Sequence, residues 1–187
     1  MKKKTFVLLL ALVLIAGAAV GGTLAWLTDT TEAVQNTFTT SDIDITLAES
    51  ENLNLQMIPG CTIAKDPKVT VLKDSEKCYL FVKIEKSSNF DTFMTYTVAD
   101  GWTQGDGTDI PSNVWYRTVE ASTTNQEFAV LKDNQVSVLG TVTKADMNGL
   151  TENTYPTLTF TAYASQYMSS NDTNFTAAEA WENVPKA

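Results

Sequence analysis

Two cysteines, a loop of glycine-spaced aspartates and a pair of tryptophans are the residues of this 187-residue chain whose types and spacing could do chemistry. Cys61 and Cys78 are even in number and enclose sixteen residues. Closing such a loop is worth about 3 kcal/mol in the chain-entropy picture. They read either as a disulfide, which needs an oxidising compartment, or as two buried thiols acting as small hydrophobes. As a nucleophile Cys61 lacks a base. Asp100, Asp106 and Asp109, set among Gly101, Gly105 and Gly107, put hard oxygen ligands on a flexible loop, as calcium prefers. Their spacing does not fit a helix–loop–helix calcium site and the distal Glu is missing, so ordinary turn chemistry is expected. Trp102, Trp115 and Tyr116 offer either a platform for sugar rings or core anchors, and core anchoring is expected.

Composition narrows the chemistry. The chain has no histidine, which removes the commonest general base and metal ligand. A Ser-His-Asp triad, a Cys-His pair and an H-E-x-x-H zinc site are all excluded within the chain. An exported hydrolase working through two carboxylates stays conceivable, yet no paired acids converge in the sequence. The expectation is a protein that is not an enzyme and carries no cofactor or metal. The net charge of −9 argues against nucleic acid and anionic lipid as partners and fits a soluble surface.

The elements that must position these residues follow a period of two. Ile43, Ile45 and Leu47 alternate with polar residues, as do Leu53 and Leu55; Ile63, Val69 and Val71 follow. Within Tyr79-Leu80-Phe81-Val82-Lys83-Ile84-Glu85, Leu80, Val82 and Ile84 share one face. Strands are also expected at residues 93–98, 114–119, 127–131, 136–142 and 157–167. Turns are expected at Pro59-Gly60, Lys73-Asp74-Ser75, Asp100-Gly101, Gly105-Asp106-Gly107, Lys132-Asp133-Asn134 and Asn148-Gly149. About nine short strands so punctuated predict an all-β fold, an antiparallel β-sandwich of jelly-roll or immunoglobulin-like topology. One helix stands out, residues 176–183. There Thr176 and Glu179 make a capping box, and Trp181 is placed to dock the helix onto the sheets.

The N-terminus reads as a secretory signal. Lys2, Lys3 and Lys4 precede an apolar run from Phe6 to Val20, and small residues follow at Gly21, Gly22, Thr23 and Ala25. The run is shorter than the roughly 20 residues of a spanning helix unless residues 21–27 are counted in. Cleavage is expected between Ala25 and Trp26. This gives a signal peptide at 1–25, an extended segment at 26–40 and a β-domain at 41–187, with membrane attachment only through the uncleaved signal. Asn171-Asp172-Thr173 and Asn174-Phe175-Thr176 match the N-glycosylation pattern, but are incidental beside a bacterial-type export signal.

These residues resemble a known family. Gly21-Gly22-Thr23-Leu24-Ala25-Trp26-Leu27-Thr28-Asp29-Thr30, Asn36-Thr37-Phe38-Thr39 and Ile43-Asp44-Ile45-Thr46-Leu47 are similar to the TasA/camelysin group. So are Ile58-Pro59-Gly60, Lys65-Asp66-Pro67-Lys68-Val69-Thr70-Val71, Cys78-Tyr79-Leu80-Phe81-Val82-Lys83-Ile84, Ala162-Tyr163-Ala164-Ser165-Gln166 and Ala177-Ala178-Glu179-Ala180-Trp181. That group comprises exported Gram-positive proteins processed by a SipW-type signal peptidase. The likeness covers both ends well and the middle poorly. It implies a jelly-roll protein of the extracellular biofilm matrix whose partners are copies of itself or related matrix subunits. It also implies that the N-terminal segment, Trp26 to Phe38, inserts as a donor strand into the next subunit, with Trp26, Val34 and Phe38 as apolar anchors. The competing expectation is that this segment pairs within its own domain or is a plain leader. The metallopeptidase activity ascribed to some camelysins does not carry over to a chain without histidine. A monomeric module binding carbohydrate or another ligand at a surface is the alternative function.

Overall fold

The structure, a computed structural model, describes residues 42–50, 56–170 and 173–185. The signal peptide, the Ala25–Trp26 bond, the anchors Trp26, Val34 and Phe38 and the Leu53–Leu55 run lie outside the described residues. What is described belongs to one compact unit, Thr40–Ala187.

The unit is all-β, with antiparallel sheets and a few short helices. Its longest strands are β4 (Cys78–Lys86) and β10 (Leu158–Gln166), nine residues each. They pair in register from Leu158 opposite Lys86 to Gln166 opposite Cys78. With β7 (Val114–Val119) and β6 (Thr103–Gln104) they form a sheet of order β10-β4-β7-β6. A second sheet has the order β1-β3-β8, from β1 (Ile45–Ala48), β3 (Lys68–Val71) and β8 (Gln126–Ala129). A third joins β2 (Thr62–Ala64), β9 (Gln135–Val138) and β5 (Met94–Thr95) in the order β2-β9-β5. A small hairpin pairs β11 (Met168–Ser170) with β12 (Thr173–Asn174).

Side-chain alternation on β4 determines how the layers meet. Leu80, Val82 and Ile84 are buried in one cluster with Val69 and Val71 of β3 and Val119 of β7. Phe81, on the opposite face, packs with Val114, Ala180 and Trp181 in another. A strand that is apolar on both faces is covered on both. Helix α3 (Ala177–Glu182) supplies the second cover. Its first turn is closed by the expected capping box, Thr176 with Glu179, and Trp181 packs against Phe81 and Tyr163 at ring distances of 5.2 and 5.5 Å. A third cluster joins the β2-β9-β5 sheet to helix α1 (Phe90–Phe93), with Ile63, Phe90, Phe93 and Val136 buried.

Two expectations need correction. The strand read at residues 93–98 is instead α1 followed by the two-residue β5. Phe90 and Phe93, three apart, face the same core from one helical turn, and the Phe90 N–H bonds back to the Ser87 carbonyl. The C-terminal helix is not the single helix, since α1 and α2 (Lys144–Asn148) precede it. The turn expected at Asn148-Gly149 is the one that ends α2, where the Gly149 N–H closes onto carbonyls of that helix. At the other marked turns, left-handed backbone occurs at Gly60, Asp74, Gly101, Gly107, Asp133 and Asn134.

Candidate functional site

Among the described residues β10, one of the two longest strands, forms one edge of its sheet. Ser87 donates its N–H to the Thr157 carbonyl and Tyr167 donates to the Lys77 carbonyl. Both contacts continue the β10–β4 register, so the hydrogen-bonded positions of β10 are the odd-numbered residues. The even-numbered Leu158, Phe160, Ala162, Ala164 and Gln166 therefore turn their N–H and C=O groups away from β4. Among the described residues no strand pairs with that edge. Strand β1 approaches β10 but does not pair with it. Leu158, Phe160, Ala162 and Ala164 pack on the main core yet stay only half-buried, as expected for inward-facing residues beside an open seam.

A cavity adjoins each end of this edge. One, of about 620 Å³, meets the start of β10 at Thr157 and Leu158 and reaches Ile63 and Phe90. The other, of about 400 Å³, is lined by Ala164, Ser165 and Gln166 at the end of β10, with Ile43, Phe175 and Asn183. Lys65 stands near the start of the strand, its Nζ 5.7 Å from the Phe160 ring centroid and 2.7 Å from Glu49.

The candidate residues for chemistry are placed elsewhere and do not converge. Asp106 turns its carboxylate onto its own loop, where Oδ1 accepts N–H bonds from Thr108, Asp109 and Ile110 at 2.8, 3.0 and 3.2 Å. Those bonds, the one from Thr108 foremost, hold its carboxyl below the usual carboxylate range. Gly105 is required there, since a Cβ would lie 2.3 Å from the Pro111 carbonyl oxygen. Asp100 reaches outward toward Lys132 at 3.9 Å. No group of three or more metal-ligating side chains forms among the described residues. Trp102 is buried, with its indole N–H donating to the Ala129 carbonyl at 2.9 Å, and Trp115 and Tyr116 are half-buried against two different cores. These rings are core anchors.

The disulfide weighed from the sequence is not formed. Cys61 is an exposed free thiol just before β2, and Cys78 is a buried free thiol opening β4. The two flank different sheets. Burial pushes the Cys78 thiol up to about 11, so it behaves as a small hydrophobe.

Compared with models of known families, with curated proteins and with solved structures, the chain finds no match in any of the three.

Sequence reasoning missed both the open edge and the cavities. The residues of β10 were legible as a strand, but whether a strand has one neighbour or two depends on partners distant in the chain. No helix among the described residues is long and apolar enough to cross a membrane.

Proposed function

We propose that this protein is a secreted structural subunit that assembles into extracellular fibres of biofilm-matrix type. In this reading the domain is a jelly-roll β-sandwich, and a SipW-type peptidase removes residues 1–25. The freed segment from Trp26 to Phe38 then lies along β10 of the next copy. The observation that carries it is the edge of β10, a nine-residue strand with backbone donors and acceptors on every second residue of a side that no described strand pairs with.

An exposed edge of that length is an aggregation hazard that natural proteins cover or blunt. Another strand can satisfy it, since β-augmentation supplies backbone hydrogen bonds and fills pockets with alternate side chains. The N-terminal segment suits the role. Trp26, Val34 and Phe38 are all even-numbered, so in an extended chain they share a face. At about 3.4 Å per residue the segment spans about 44 Å against about 30 Å for β10. It is long enough to reach a cavity at each end. Insertion of one copy into the next is a head-to-tail contact that does not close, and it propagates a filament. Such a scaffold needs no catalytic residues.

The test compares the protein beginning at Trp26 with the protein beginning at Ser41 by electron microscopy. Fibres from the first and none from the second are expected. Identical behaviour of the two, with no polymer at any concentration, would sink the proposal.

A further inference from the structure

The larger cavity has a chemistry of its own, independent of the fibre reading. Its floor is buried and apolar, made by Ile63, Phe90 and Met94. Its walls include Met57 and Met147, so three of the five methionines of the chain line this one space. Thioether side chains are unbranched and adaptable, and they suit a surface that moulds to an apolar guest. The volume, about 620 Å³, falls within the range of sites for small molecules, roughly 300–1,000 Å³. Tyr155, which also lines the cavity, is 51% exposed.

The polar groups at the rim select the guest. Lys65 lines the cavity, and its ammonium is already paired with Glu49 at 2.7 Å. An ammonium has three N–H donors, so the pair leaves it able to donate while its charge is compensated. A carboxylate or phosphate arriving there would meet Glu49 and a chain of net charge −9. A neutral acceptor oxygen would meet neither penalty. Tyr155 adds a phenolic hydroxyl at the same mouth. We propose that this cavity binds a neutral amphiphile, an apolar chain or ring ending in a hydroxyl, carbonyl or ester, with the tail on the methionine-lined floor and the oxygen beside Lys65.

The compact unit from Thr40 onward contains all three hydrophobic clusters, so the protein beginning at Ser41 serves for the ligand experiments and the protein beginning at Trp26 for fibre growth. With methionine methyls labelled with ¹³C, 1-dodecanol below its solubility limit should shift the Met57, Met94 and Met147 signals and leave Met168, on β11, in place. In competition against Nile red, dodecanol should displace the dye at a concentration at least tenfold below that needed for dodecanoate. Met147→Trp should fill the space and abolish displacement, whereas Met168→Trp should not; urea unfolding of both variants checks that they remain folded. Shifts at Met168 equal to the others, or none at all, overturn the site. Equal or better competition by dodecanoate overturns the choice of a neutral head group. If dodecanol has no effect while fibre growth alone shifts the three methyls, the occupant is a side chain of a second copy and the proposal fails.

Discussion

The guanidinium of Arg117 lies 4.2 Å from the centroid of the Phe128 ring. Arg117 is the only arginine of the chain, and it stands on the face of β7 that carries Trp115 and Val119 into the main core. Trp102 lies on another side at 5.5 Å. Arg117 Nε is buried without a hydrogen-bond partner, and burial lowers its pKa. The aromatic faces attract the cation, typically by about 0.5–2 kcal/mol, while the aliphatic stem fills space. The stem should therefore matter as much as the charge. Arg117→Met is expected to change unfolding stability in urea by no more than about 0.5 kcal/mol, and Arg117→Ala to lose about 1–2 kcal/mol. Equal losses in the two variants would show that the charge, not the packing, holds this corner.

The two cysteines should separate cleanly by reactivity. Cys61 is exposed and Cys78 is buried with its thiol pushed up to about 11. Titration of the folded protein with a thiol reagent at pH 8 is expected to label one cysteine rapidly. The second should react only in denaturant, on the timescale of unfolding. Two thiols reacting at one rate in the native state, or none reacting, would contradict this placement. Cys78→Ala should cost stability and Cys78→Val little, because the site is apolar and close-packed.

The helix caps link stability to acid. Glu179 is held below the usual carboxylate range by the N–H and then the hydroxyl of Thr176, and Asp146 by the hydroxyl and then the N–H of Thr143. A carboxyl with a lowered folded pKa binds fewer protons than in the unfolded chain. Its contribution is present above the unfolded value of about 4 and is lost as pH falls through the folded pKa. Thermal melts of the parent and of Thr176→Ala should therefore differ at pH 6 and converge toward pH 3. A gap that stays constant across that range would show that the cap hydroxyl acts without the carboxylate.

How much of this was legible depended on the range of the signal. The alternation of Leu80, Val82 and Ile84 marks β4 because burial on each face is set within one strand. Thr176 and Glu179 mark α3 because a cap is a local bond. A second box, Thr143 with Asp146, marks α2 by the same pattern, but its acid is Asp, the helix is only five residues long, and Met147 and Leu150 alone give it an apolar face, too little for a helical period. Strand β6 and the β11–β12 hairpin are two or three residues per strand, too short for a period. Phe93 to Val98 looked like a strand because its apolar residues were counted without Phe90, whose helical partner is Phe93. The edge of β10 and the methionine cavity were illegible, since their residues come together only through β4, β9 and α2.

The alternation on β10 allows assembly to be separated from folding by a shift of one residue. Ala162 is even-numbered, so its N–H faces the open edge; Thr161 is odd-numbered, so its N–H belongs to the ladder with β4. Proline removes the N–H and is tolerated in a strand only where that group faces away from a partner. Ala162→Pro should keep the near-ultraviolet dichroism and urea midpoint of the parent close to unchanged. It should also stop fibre growth, because an incoming strand loses a donor and meets a pyrrolidine ring at the centre of the edge. Thr161→Pro should leave a ladder acceptor of β4 unpaired and cost about 1–3 kcal/mol before any effect on assembly is read. Fibres from a stably folded Ala162→Pro protein would show that growth uses another edge. A strongly destabilised Ala162→Pro protein alongside a stable Thr161→Pro one would show that the pairing register of β10 is the reverse of the one described.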